Sequence, residues 1–101
     1  MRPVTDFPAD TIAAFCHTWG VAEFSLFGSV LRDDFGSESD VDVLVAYLPG
    51  RAPGVKEWLA QREQLRQIFG GREVDLVERR AVVNPFRRHE ILTTRKVLYA
   101  A

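Results

Sequence analysis

Apolar residues recur along the chain with two different periods, and the switches between them outline its elements. Over residues 8–19, Ile12, Phe15, Cys16 and Trp19 follow one another at three- and four-residue steps, which is the stripe of an amphipathic helix, and Gly20 ends it. Residues 21–27 are an apolar run of strand length. A short helix over 29–34 and a Gly36-Ser37 loop lead into a second strand over 40–47. Alternation there sets Val41, Val43, Val45 and Tyr47 on one face and Asp40, Asp42, Leu44 and Ala46 on the other. Residues 48–54, with two prolines and two glycines, form a loop. Helical spacing returns over 55–69, with Val55, Trp58, Leu59, Leu65, Ile68 and Phe69 near one side and Gly70-Gly71 as the stop. Residues 73–77 read as a third strand. Asn84-Pro85 then supplies a cap and first residue for a helix to about Thr93, followed by a short tail. The strand–helix–strand order, with its long crossover, places the third strand beside the first two. The expected fold is a single α/β (α+β) domain over 1–101, a small mixed sheet of three or four strands flanked by helices.

Composition narrows the function. A length of 101 residues with 47% hydrophobic content supports one modest core and argues against disorder. The net charge of −1 gives no global attraction to nucleic acid, so direct binding to it is not expected. No apolar run approaches the ~20 residues of a membrane helix. Asp6 and Asp10 are out of place in a signal peptide, so the cytoplasm is expected. Cys16, the single cysteine, can form no internal disulfide, and on the apolar stripe it reads as core rather than as a reactive thiol. His17 falls off that stripe and reads as solvated. Arg79, Arg80, Arg87, Arg88, Arg95 and Lys96 crowd the last quarter, with Glu90 as the only acidic residue among them. They are either a solvated face or cations that meet nucleotide phosphates or an acidic partner.

Two positions carry charge where it is costly. Asp40 and Asp42 open a strand otherwise built of β-branched and apolar residues, and their i, i+2 spacing turns both carboxylates to one face. Like charges held together there repel and lose hydration unless a cation neutralises them. Hard oxygen donors, few in number and leaving room for phosphate oxygens and water, suit Mg²⁺. Upstream, Gly28-Ser29 stands where the first strand hands over to a helix. Glycine admits a close backbone approach, and Ser29 adds a hydroxyl near unpaired amides. Alone, the pair reads as a turn residue and an N-cap. Beside Asp40 and Asp42, it describes a phosphate cradle facing a metal site.

The ordered set of Gly28-Ser29, two residues, Arg32, then Ser39-Asp40-Val41-Asp42 and an apolar run resembles the signature of the DNA polymerase β-like nucleotidyltransferases. It is similar above all to the minimal nucleotidyltransferases, small proteins often paired with a helical HEPN-domain partner. That family carries a third carboxylate on a later strand, and Asp75 in Glu73-Val74-Asp75-Leu76-Val77 fills the position. The resemblance implies the minimal nucleotidyltransferase fold and two Mg²⁺ ions held by Asp40, Asp42 and Asp75, with Asp75 helping to activate an acceptor hydroxyl. It implies nucleotide contacts from Gly28, Ser29, Arg32 and Ser39; Arg32 either meets the triphosphate or braces its loop through Asp33 or Asp34. The implied activity is that of an antitoxin: transfer of AMP from ATP to a tyrosine hydroxyl of a HEPN-domain toxin, which neutralises it. Two alternatives are a non-catalytic binding antitoxin and the nucleotide-binding subunit of a two-chain enzyme that modifies a small molecule such as an aminoglycoside. Larger members carry a further domain that holds the acceptor; in 101 residues no such lobe is expected, so the acceptor belongs to another chain. The 48–54 loop and the arginines from Arg79 onward are its expected docking surface.

Overall fold

The computed structural model of the chain describes residues 9–31 and 40–101, without the side chains of Ser29 and Val30. Its elements are α1 (Ala9–Trp19), β1 (Val21–Phe27), β2 (Val41–Tyr47), α2 (Val55–Ile68), β3 (Val74–Glu78), α3 (Pro85–Thr94) and β4 (Lys96–Ala100). The strands form one mixed sheet in the order β3-β2-β1-β4. β1 is antiparallel to both β2 and β4, and β2 is parallel to β3 through the α2 crossover. This is the expected α+β architecture with four strands.

Each face of the sheet has its own apolar cluster. On one, Val41, Val43 and Val45 of β2 and Phe24 and Leu26 of β1 pack against Ile12, Phe15 and Cys16 of α1 and against Leu65 and Phe69 at the end of α2. The edge-to-face contact of Phe15 and Phe24, with centroids 6.0 Å apart, sits inside it. The opposite face is smaller: Phe27, Leu44, Val82 and Ile91 pack together with Val77 and Leu92, which seats α3 on the sheet. The alternation of β2 therefore sorts its side chains between the two layers as expected.

Two expectations are corrected. Val55 and Leu59, assigned to the apolar side of α2, are 79% and 55% exposed. The buried stripe instead runs through Trp58, Gln61 and Leu65, and Gln61 is 0% exposed. It tolerates burial because its Oε1 accepts a hydrogen bond of 2.5 Å from the Tyr47 hydroxyl. The tail after α3 is a strand: β4 pairs along the outer side of β1, where backbone hydrogen bonds hold it although most of its residues stay partly or fully exposed. Among the described residues no helix is long and apolar enough to cross a membrane.

Candidate functional site

The site is built where β1 ends and β2 and β3 begin. In the sheet register Asp42 pairs with Phe27 on one side and with Asp75 on the other. Two residues further along their strands, Leu44 and Val77 belong to the cluster under α3, so Asp42 and Asp75 leave the sheet on that same face. Asp42 is half-buried and Asp75 is exposed. Asp40 stands exposed just ahead of β2.

Gly28 closes this end of the sheet. Its φ of +73° is a left-handed conformation that other residues adopt only at a cost, and a Cβ at this position would run into Oδ2 of Asp42. Glycine is thus what lets the turn fold down over the carboxylate. The short helix expected over 29–34 is, as far as it is described, a single 3-10 turn, Gly28–Leu31. Arg32 and Ser39 lie outside the described residues, as does the Ser29 side chain.

Two clefts flank the carboxylates. One, of about 360 Å³, opens at the outer edge of β3 and is lined by Asp40, Asp75, Glu73, Trp58 and Arg62. Arg62 is committed there: it donates to the Val74 carbonyl at 3.2 Å and pairs with Glu73 at 3.4 Å. Asp75 makes no ion pair among the described residues. The other cleft, of about 380 Å³, lies between Gly28 and α3 and is lined by Phe27, Gly28, Arg87, Glu90, Ile91 and Thr94. The α3 residues of this wall recur at helical spacing on one face, a signal present in the sequence that acquires meaning only once α3 is placed across from Gly28.

The late cluster of cations divides into distinct roles. Arg80 pairs with Glu78 at 2.9 Å, and Arg95 with Glu23 at 2.9 Å. Arg88 donates to the carbonyls of Arg79 and Val82, bracing the connection into α3. It is therefore a structural residue rather than a free docking charge.

Asp42 and Asp75 are the pair that the sheet brings together. Among the described residues no group of three His, Cys, Asp or Glu is assembled as a metal site on its own. The donors nevertheless fit Mg²⁺: two cross-strand carboxylates supply hard oxygens, and the glycine turn beside them brings the backbone close against the Asp42 carboxylate, where a side chain would collide with it.

The sequence model of the nucleotidyltransferase domain matches residues 10–98. The chain belongs to this family. This nucleotidyltransferase domain is 34% identical over 71 residues, 70% of each chain, to a Methanocaldococcus jannaschii protein assigned as a protein adenylyltransferase, MJ1379. Among solved structures it matches one assigned as a minimal nucleotidyltransferase with a TM-score of 0.70 and 27% identity, covering 87% of this chain and 86% of the other. A toxin–antitoxin structure with AMP-PNP matches with a TM-score of 0.72 at 19% identity, over 92% and 73% of the two chains. The MntA–HepT toxin–antitoxin structure matches with 0.64 at 18%, over 92% and 70%. These last two share its fold.

Proposed function

We propose that this nucleotidyltransferase domain transfers AMP from ATP to a hydroxyl of a partner protein. The observation that carries the reading is the cross-strand pairing of Asp42 with Asp75 immediately beside Gly28, whose turn lets the backbone approach the Asp42 carboxylate closely. Asp42 and Asp75, with Asp40 ahead of β2, would hold Mg²⁺, which when bound supplies the positive charge that a triphosphate and a departing pyrophosphate require. Gly28 and Ser29, with Ser39 and Arg32, form the phosphate cradle. The acceptor oxygen attacks the α-phosphorus, the new O–P bond forms as the bond to pyrophosphate breaks, and Asp75 takes the hydroxyl proton.

The arrangement across the strands supports a direction for this chemistry. Gly28 follows β1, Asp42 is on β2 and Asp75 on β3, so cradle, first carboxylate and second carboxylate lie in order across the sheet. Among the described residues, the cleft at the sheet edge lies beyond Asp75, where an acceptor can approach opposite the leaving group. We assign that acceptor to a tyrosine of a HEPN-domain toxin, for which the chain acts as antitoxin. The likeness to a protein adenylyltransferase and the fold shared with MntA–HepT support this partner class.

The test is intact-mass measurement of a co-expressed HEPN-domain partner. With ATP and Mg²⁺ the partner gains the mass of AMP, and with Asp42→Asn it does not. A partner that gains no mass, together with AMP transfer by the protein alone to a free small-molecule alcohol, would replace the protein acceptor with a small one.

A further inference from the structure

We propose that Arg87 is a nucleotide-binding residue: the cleft between Gly28 and α3 takes the triphosphate of the donor nucleotide, and the Arg87 guanidinium binds it from the α3 side. The inference rests on the nucleotide-transfer reading and deepens it by supplying a wall of the site that the Gly-Ser and Asp positions leave unassigned.

Three observations converge. First, Gly28 and Arg87 line the same cleft of about 380 Å³, and Gly28 is also the residue pressed against Asp42, so the cleft continues from the carboxylates. A phosphate chain held over Gly28 has α3 as its opposite wall.

Second, several of the cations around α3 are already engaged, whereas Arg87, the cation that lines this cleft among the described residues, is not. Arg80, Arg88 and Arg95 make the ion pairs and carbonyl contacts described above. The Arg87 guanidinium has no carboxylate partner among the described residues. Its backbone is nonetheless fixed, because the Asn84 side chain caps α3 by accepting from the Arg87 amide at 3.2 Å. A guanidinium with no carboxylate partner among the described residues, on a pinned first turn, is well suited to forked, charge-assisted bonds to phosphate oxygens.

Third, the wall is polarised. Glu90, one turn further along the same face, repels phosphate, and Thr94 lies a turn beyond it. Phosphates are thereby held toward Arg87, while Glu90 and Thr94 offer acceptors to the hydroxyls or amine of a nucleoside. Thr94 already donates its hydroxyl hydrogen to the Glu90 carbonyl at 2.6 Å, which leaves its oxygen free to accept.

The experiment is isothermal titration with ATP in the presence of Mg²⁺ for the unaltered protein, Arg87→Gln, Arg87→Lys and Arg80→Gln. Arg87→Gln is expected to weaken ATP binding about tenfold or more, the scale of a charge-assisted hydrogen bond, with Arg87→Lys between it and the unaltered protein. Arg80→Gln, on a cation paired outside the cleft, should bind ATP within about twofold of the unaltered protein. An Arg87→Gln variant that binds ATP normally, or that loses affinity for the protein partner instead, would overturn the inference while leaving nucleotide transfer intact. Absence of ATP binding by the unaltered protein would overturn the underlying reading, and this assignment with it.

Discussion

Asp42 and Asp75 occupy directly paired positions on the adjacent parallel strands β2 and β3, so their side chains leave the same face of the sheet from backbones one strand spacing, about 4.8 Å, apart. Carboxylates on neighbouring strands repel, and a cation bound between them relieves that repulsion. Asp42→Asn removes one charge at nearly constant volume. Transfer to the partner should be abolished, while the thermal midpoint of the ligand-free protein stays level or rises. A variant that retains transfer in ATP and Mg²⁺ would remove Asp42 from the catalytic assignment.

Gly28→Ala attacks the same site through the backbone. The residue must hold φ near +73°, and the added methyl meets the Asp42 carboxylate. A loss of about 1–2 kcal/mol is expected from the left-handed conformation alone, with ATP affinity falling further as Asp42 is pushed aside. Chemical denaturation measures the first effect and titration with ATP the second. Normal stability together with normal ATP affinity would show that the turn is not closed over Asp42.

Tyr47 and Gln61 should behave as one unit. The Gln61 side chain is fully buried and its Oε1 is engaged by the Tyr47 hydroxyl, whereas Nε2 has no hydrogen-bond partner among the described residues. Tyr47→Phe strands an acceptor and Gln61→Leu strands a donor, each at a cost of about 1–2 kcal/mol. The double variant should cost clearly less than the sum, because no stranded partner remains. Additive losses in a double-mutant cycle would deny the coupling.

Alkaline pH should weaken the fold. Burial pushes the Cys16 thiol from 9.0 up to about 12, and burial likewise raises the Tyr47 hydroxyl above its ordinary 10.0. Both groups are neutral acids in the folded state. Below pH 9 neither costs anything; between pH 9 and 12 the unfolded chain releases the Cys16 proton while the folded chain retains it, so stability falls as pH rises. Urea unfolding across that range should show the decline, shallower in Cys16→Ala. A thiol reagent at pH 8 should label Cys16 only as the protein unfolds; rapid labelling of the native protein would contradict the burial.

Much of the architecture was legible because local patterns and packing agree. The stripe Ile12, Phe15, Cys16 and Trp19 and the alternation of Val41, Val43 and Val45 match the layers they enter. The third strand was found for the same reason, and its parallel pairing with β2 follows from the helical crossover. Other features depend on distant partners. Gln61 reads as polar until Tyr47 is placed against it, and Lys96 to Ala100 reads as a tail until β1 offers a row of amides and carbonyls. The carboxylate positions were visible as charge inside apolar strands, and the structure brings Asp42 and Asp75 together. The wall of Arg87, Glu90 and Thr94 was hidden within a general excess of late arginines. Charge counting does not distinguish an arginine spent on a carbonyl, as Arg88 is, from one facing a cleft.

The position of β1 between β2 and β4 has a consequence for how the protein comes to be folded. β2 follows soon after β1 in the chain, but the other neighbour is drawn from the far end of the described residues. Closing that pair means ordering nearly the entire intervening polypeptide before its hydrogen bonds form, a non-local step that slows folding. During synthesis and refolding, one side of an apolar strand therefore stays open after its hairpin with β2 is available. That open side invites intermolecular pairing, so refolding yield should fall with protein concentration, and a transient chaperone grip on β1 would be most useful before the final strand arrives.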